Sequence, residues 1–120
     1  MRAERGGAAE RFGRHAEALC RLALRLNGYR VVAARERTPV GEIDIVARRG
    51  AILAIVEVKA RADAVGAALA LTARQRGRLF RAAAAFLGRH PELAGLSVRF
   101  DLMLVSPWRW PRHLPDAWRP

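Results

Sequence analysis

The chain has 120 residues, with 22 lysines and arginines against 11 aspartates and glutamates, a formal net charge of +11. That length suits a single domain over residues 1–120, and 52% hydrophobic content is enough to bury a core, which excludes a disordered basic tail. No apolar run approaches the roughly 20 residues of a membrane helix. The charged N-terminus lacks the apolar stretch of a secretory leader, and one cysteine, Cys20, excludes an internal disulfide, so a cytoplasmic location is expected.

Taken in chain order, Phe12, Ala16, Leu19, Ala23 and Leu26 recur at helical spacing and predict a helix over 8–26, with Asn27-Gly28 as its stop. A strand is predicted over 29–37, and Thr38-Pro39-Val40-Gly41 has turn chemistry. Two further strands, 42–47 and 51–60, are joined by a tight turn at Arg49-Gly50. Within the second of them, Ile52 to Val56 is an uninterrupted apolar run of the kind buried on both faces of a central strand. A loop over 62–66 leads to a second helix from about 67 to 88. Leu71, Leu79, Ala83 and Phe86 give it an apolar side, and His90-Pro91 ends it.

A last strand is predicted over 98–105, where Phe100, Leu102 and Leu104 alternate with Asp101 and Met103. Residues 106–120 hold four of the six prolines and all three tryptophans, and are expected to fold back onto the domain as a Pro/Trp-rich tail. The order helix, three strands, helix, strand defines an α/β class with a mixed central sheet flanked by helices.

A chain this basic favours a polyanionic partner, because each cation that meets a phosphate releases condensed counterions. The basic residues are 21 arginines and one lysine, Lys59. With 24 alanines beside them, that bias is also what a skewed base composition would produce, but exchanging arginine for lysine leaves the net charge unchanged. The charge therefore speaks for nucleic acid as partner without specifying any chemistry.

The chemistry is suggested by Gly41-Glu42-Ile43-Asp44-Ile45 and Val56-Glu57-Val58-Lys59-Ala60-Arg61. Strand alternation puts Glu57 and Lys59 on one face. If Arg48 faces Ala51 across the turn, Asp44 lies opposite Ile55, on the Glu57 face and one diagonal step away, about 7–8 Å. Unpaired carboxylates in an apolar strand are costly, so two of them beside a lysine mark a candidate site. Two carboxylates with water and phosphate oxygens are a common way to hold Mg²⁺, and a compact ammonium suits proton exchange as guanidinium does not.

Other residues remain open to more than one reading. Glu17, at the edge of the first helix's apolar stripe, is placed either to reach a metal or to pair with Arg21 or Arg14. Glu42 is expected at the strand start in solvent. Arg74, Arg78 and Arg81 form a basic stripe on the second helix, and Arg61 follows Lys59 on the same face; all four are candidates for phosphate contact. Asp101 is expected to pair with an arginine, and Cys20 to be a small buried residue.

At these residues the sequence resembles the PD-(D/E)xK, restriction-endonuclease-like superfamily, and more closely the YraN family of endonuclease-like bacterial proteins. The matching segments are Gly13-Arg14-His15-Ala16-Glu17-Ala18, the Asp44 and Glu57/Lys59 segments above, Arg99-Phe100-Asp101, and His113 to Trp118. The resemblance implies a restriction-endonuclease-like core and a divalent cation, Mg²⁺ or Mn²⁺. It implies that Asp44 and Glu57 bind the metal, that Glu17 supports it from the first helix, and that Lys59 orients or activates water. The implied activity is metal-dependent, structure-specific DNA endonuclease action. The alternative is a non-catalytic nucleic-acid-binding accessory of repair, recombination or uptake. A homodimer is implied only by similarity to archaeal Holliday-junction resolvases.

Overall fold

The computed structural model describes residues 2–60 and 71–120, with the backbone alone over residues 2–12. Helix α1 (Arg2–Leu26) begins before the predicted start at residue 8. Gly6-Gly7 argues against helix by about 1 kcal/mol per glycine, but the surrounding alanine, glutamate and arginine residues favour it. The stop is as expected. Gly28 takes φ 86°, Tyr29 N–H donates to Leu24 C=O at 3.0 Å, and Gly28 N–H to Arg25 C=O at 3.1 Å. This left-handed cap satisfies two end carbonyls and releases the chain into β1 (Arg30–Arg37).

The turn into β2 (Glu42–Arg49) is tied by Thr38, whose Oγ1 accepts from Gly41 N–H at 3.1 Å. Gly41 passes close to α2: a Cβ there would stand 3.3 Å from Arg78 Cδ, so that side chain would have to shift slightly. β2 then pairs antiparallel with β3 (Ile52–Ala60), but not in the predicted register. Arg48 pairs with Leu53 rather than Ala51, and Val46 rather than Asp44 lies opposite Ile55. The two turn residues are Gly50 and Ala51, because Gly50 supplies the left-handed φ of 59° at the first turn position.

Positions 62–66 and 67–70, where a loop and a helix start are predicted, lie outside the described residues. Helix α2 (Ala73–Arg89) starts after Thr72, later than predicted. Gln75 N–H donates to Thr72 Oγ1 at 3.1 Å, and Thr72 N–H to Gln75 Oε1 at 2.8 Å, a reciprocal cap that ends non-helical backbone at residue 72.

A short 3₁₀ turn (Pro91–Leu93) leads into β4 (Ser97–Val105). β4 runs parallel to β3, from Ile52↔Ser97 to Ala60↔Val105, and α2 lies in the crossover that a parallel pair needs. The C-terminal segment does fold back: β5 (Arg112–Trp118) pairs antiparallel with β4 and adds a fifth strand to the predicted four.

The sheet order is β1-β2-β3-β4-β5, so the apolar run of β3 occupies the centre. Ala16, Cys20, Ala23 and Leu24 of α1 cover one face, against Ile45, Ala47, Ala54, Val56 and Met103. Leu79, Ala82, Ala83 and Phe86 of α2 cover the other, against Ile43, Val46, Leu53, Ile55 and Phe100. Both helices thus press on the strands that carry Asp44, Glu57 and Lys59. Among the described residues no helix is long and apolar enough to cross a membrane.

Candidate functional site

β3 presents Glu57 and Lys59 toward α2, as alternation requires. Lys59 Nζ lies 3.5 Å from Glu57 Oε1, with side chains 20% and 18% exposed. Both border a cavity of about 200 Å³ whose other walls are Gly41, Glu42 and the α2 residues Gln75, Arg78, Leu79 and Ala82, closed by Leu71. Glu42 is exposed at the start of β2, as predicted, yet it also faces this cavity.

Asp44 reaches the same place by a different route from the one predicted. Ile43 packs with the α2 face and Ile45 with the α1 face, so regular alternation breaks around Asp44. The paired positions of β2 and β3 run from Arg49↔Ile52 to Ile45↔Val56. Just beyond them, Asp44 Oδ2 accepts the Val58 N–H at 2.8 Å, so its carboxylate stands in for a strand partner. The disturbance is shared with β1, where the register shifts between Val31 and Ala33 and Arg35 takes φ 50° beside Asp44. Asp44 and Glu57 thus meet one position beyond the Ile45↔Val56 pair, across the gap between two strands, instead of diagonally on one face.

Burial here raises both pKa values. Burial pushes Asp44 up to about 6, with Glu17 adding to the effect and the Val58 N–H and Lys59 opposing it. Burial and the Asp44 charge push Glu57 up to about 7 against the pull of Lys59. One ammonium and one amide do not balance two desolvated carboxylates, and the site retains affinity for positive charge.

Glu17 faces Asp44 from α1, but its Oε2 lies 2.6 Å from Arg35 Nε. It therefore forms an ion pair with β1, not with its helix neighbours Arg14 or Arg21. Arg74, Arg78 and Arg81 are all exposed on α2, and Arg78 alone of the three borders the cavity. Arg61 lies outside the described residues. Cys20 is fully buried as expected; burial, with Asp44 and Glu17 nearby, pushes its thiol up to about 12, which keeps it protonated. Among the described residues no group of three or more His, Cys, Asp or Glu side chains is gathered as a metal cage.

Asp101 carries more than the predicted arginine pair. Fully buried on β4, it accepts from Arg99 Nε and Nη2 at 2.8 and 2.7 Å, from His113 Nε2 at 2.7 Å and from Asp116 N–H at 3.0 Å. Arg99 also donates to Tyr29 Oη at 2.6 Å. Burial alone would raise the Asp101 pKa, but the bonds from His113, Arg99 and Asp116 outweigh it and hold the carboxyl at about 2. This network ties the end of α1 to β4 and β5. The sequence signal for it is the pairing of Arg99-Phe100-Asp101 with a histidine in the C-terminal segment.

A five-stranded mixed sheet between two helices, with Asp44 and a Glu-x-Lys pair converging where two strands part, defines an α/β protein with a nuclease-like core. The chain belongs to a family described as Uncharacterised protein family UPF0102, which matches residues 16–105. It is 62% identical over 115 residues to a UPF0102 protein of Parvibaculum lavamentivorans, covering 96% of this chain and 86% of that one. It is 55% identical over 116 residues to UPF0102 protein amb4503 of Paramagnetospirillum magneticum, covering 93% and 90%. A UPF0102 protein of Caulobacter vibrioides is 48% identical over 118 residues, covering 98% and 94%.

Proposed function

We propose that the protein is a metal-dependent endonuclease that hydrolyses phosphodiester bonds in DNA and acts in the cytoplasm. The observation that carries this reading is the meeting of Asp44 and Glu57 beside Lys59 at a cavity that Arg78 borders. The donor set fits a hard divalent cation. Two half-buried carboxylates with raised pKa values and one ammonium leave net negative charge, and such ions take one or two carboxylates with water and phosphate oxygens. Asp44 and Glu57 would hold Mg²⁺ or Mn²⁺, while Glu17 acts on the site by its charge, since its carboxylate is held by Arg35. When bound, the ion supplies charge stabilisation at the scissile phosphate and lowers the pKa of water.

The chain's own residues supply the rest. The Val58 N–H fixes the Asp44 carboxylate, so its orientation does not depend on a flexible rotamer. Lys59, 3.5 Å from Glu57, is positioned to orient the attacking water and to pass a proton. Arg78 stands across the cavity, where its guanidinium meets a phosphate oxygen, and Arg74 and Arg81 continue the positive face along α2. Phosphate contacts of this kind carry no base readout, which supports selection by nucleic-acid shape.

The test is cleavage of labelled DNA with Mg²⁺ or Mn²⁺ by wild type and Asp44→Ala. The variant is expected to lose cleavage and to keep DNA binding. Metal-dependent cleavage that survives in the variant would refute the reading.

A further inference from the structure

On the α1 side of the same strands lies a second cleft, whose three arginines the proposed chemistry does not use. Its volume is about 230 Å³, and it is lined by Arg14, Glu17 and Arg21 of α1 and by Arg35 of β1. Three guanidinium groups thus face one carboxylate, and the balance is positive. Arg14 and Arg35 are exposed, and Arg21 is half-buried. Arg14, Glu17 and Arg21 follow at three- and four-residue spacing on one helix face, which explains why a single helix supplies three walls.

Arg35 arrives from the strand through a left-handed φ of 50°. A non-glycine residue in that region is strained and persists where the surroundings determine it. Glu17 engages the Arg35 Nε, and among the described residues no hydrogen-bond partner holds its two Nη groups. Such a guanidinium is oriented at one edge while its fork remains available to an anion.

The position of the cleft matters as much as its charge. Arg35 lies between two β1–β2 pairs, Ala34↔Ile45 and Glu36↔Ile43, which places it beside Asp44 on the neighbouring strand. The carboxylates thus have Arg78 beyond the α2-walled cavity that Glu57 borders, and the net positive cleft walled by α1 beside Asp44. We propose that the cleft of Arg14, Arg21 and Arg35 is a second phosphate-binding subsite, which holds a nucleic-acid strand on the far side of the carboxylates from Arg78. The inference rests on the nuclease reading and sharpens it. A strand held by phosphates on both sides is engaged at an internal bond, the arrangement of an endonuclease.

The test uses the full chain with Asp44→Asn, in chelator, so that binding is read without cleavage. Affinity for a labelled DNA duplex is measured between about 50 and 200 mM salt for this parent, with Arg21→Ala and Arg35→Gln added singly and together. Arg119→Ala, just beyond β5 and outside the cleft, serves as the control for loss of a single charge.

Each lost phosphate contact is expected to reduce the slope of log affinity against log salt by about 0.9. The deficit of a single variant relative to the parent then shrinks about threefold across that range, and that of the double variant about tenfold. Arg21→Ala, on the helix surface, carries the test alone if Arg35→Gln impairs folding. A parent that binds while each single variant keeps the slope of the Arg119→Ala control overturns the subsite and leaves the nuclease reading intact. A parent that binds neither the duplex nor single-stranded, flap or junction DNA overturns both.

Discussion

Replacing Glu57 with glutamine is expected to stabilise the metal-free protein at neutral and alkaline pH. The Glu57 side chain is 18% exposed, and burial together with the Asp44 charge pushes its pKa from 4.5 up to about 7. A carboxyl that binds its proton more tightly in the folded state stabilises the fold at low pH. That contribution is lost as pH rises from about 4.5 through about 7. The displacement corresponds to on the order of 3 kcal/mol of strain in the ionised site. The pull of Lys59, 3.5 Å away, is already contained in that displacement, so glutamine gains on the order of 3 kcal/mol at alkaline pH. At this chain length the gain corresponds to a rise of roughly 12 °C in melting temperature. Thermal unfolding followed by circular dichroism in chelator measures it, and the advantage should vanish near pH 4. A melting temperature unchanged or lowered at pH 8, or raised equally at pH 4, would refute this account of the site's electrostatics.

Mg²⁺ or Mn²⁺ at millimolar concentration is expected to raise the melting temperature of the wild type at pH 8 and to leave Asp44→Asn unmoved, as a thermal scan will register. Asp101→Ala leaves Arg99 without its buried carboxylate and frees β5; a loss of about 3–5 kcal/mol is expected in denaturant unfolding. Phe86→Ala opens a cavity beneath α2 and should cost about 3–5 kcal/mol in the same assay. Thr72→Ala removes the α2 cap and should cost about 1 kcal/mol.

The sequence was most legible where one local force dominates. The apolar run Ile52 to Val56 marks the central strand because few other environments tolerate it, and Asn27-Gly28 ends α1 because glycine alone takes φ 86° without penalty. The Glu57–Lys59 pair followed from alternation within one strand. Asp44 did not, because its placement depends on a register set by Gly50 and on a break in alternation shared with Arg35. Neither is encoded by hydrophobic period. Glu17 illustrates the same limit: its partner lies 18 residues away on β1, whereas helical spacing points only to Arg14 and Arg21. The role of Asp101 depends on β5, a strand that four prolines in residues 106–120 disguise as a tail.

The central claim is that Asp44, Glu57 and Lys59 form a metal-dependent site for phosphodiester hydrolysis. The most direct measurement is a cleavage panel over duplex, single-stranded, flap and junction DNA, with Mg²⁺, with Mn²⁺ and with chelator, for wild type and Glu57→Ala side by side. The account predicts cleavage by the wild type only with metal, and none by the variant on any substrate. A wild-type protein that cuts no DNA shape with either metal, yet binds DNA in chelator as tightly as Glu57→Ala does, would contradict it and identify the chain as a binding protein that keeps a nuclease-like fold.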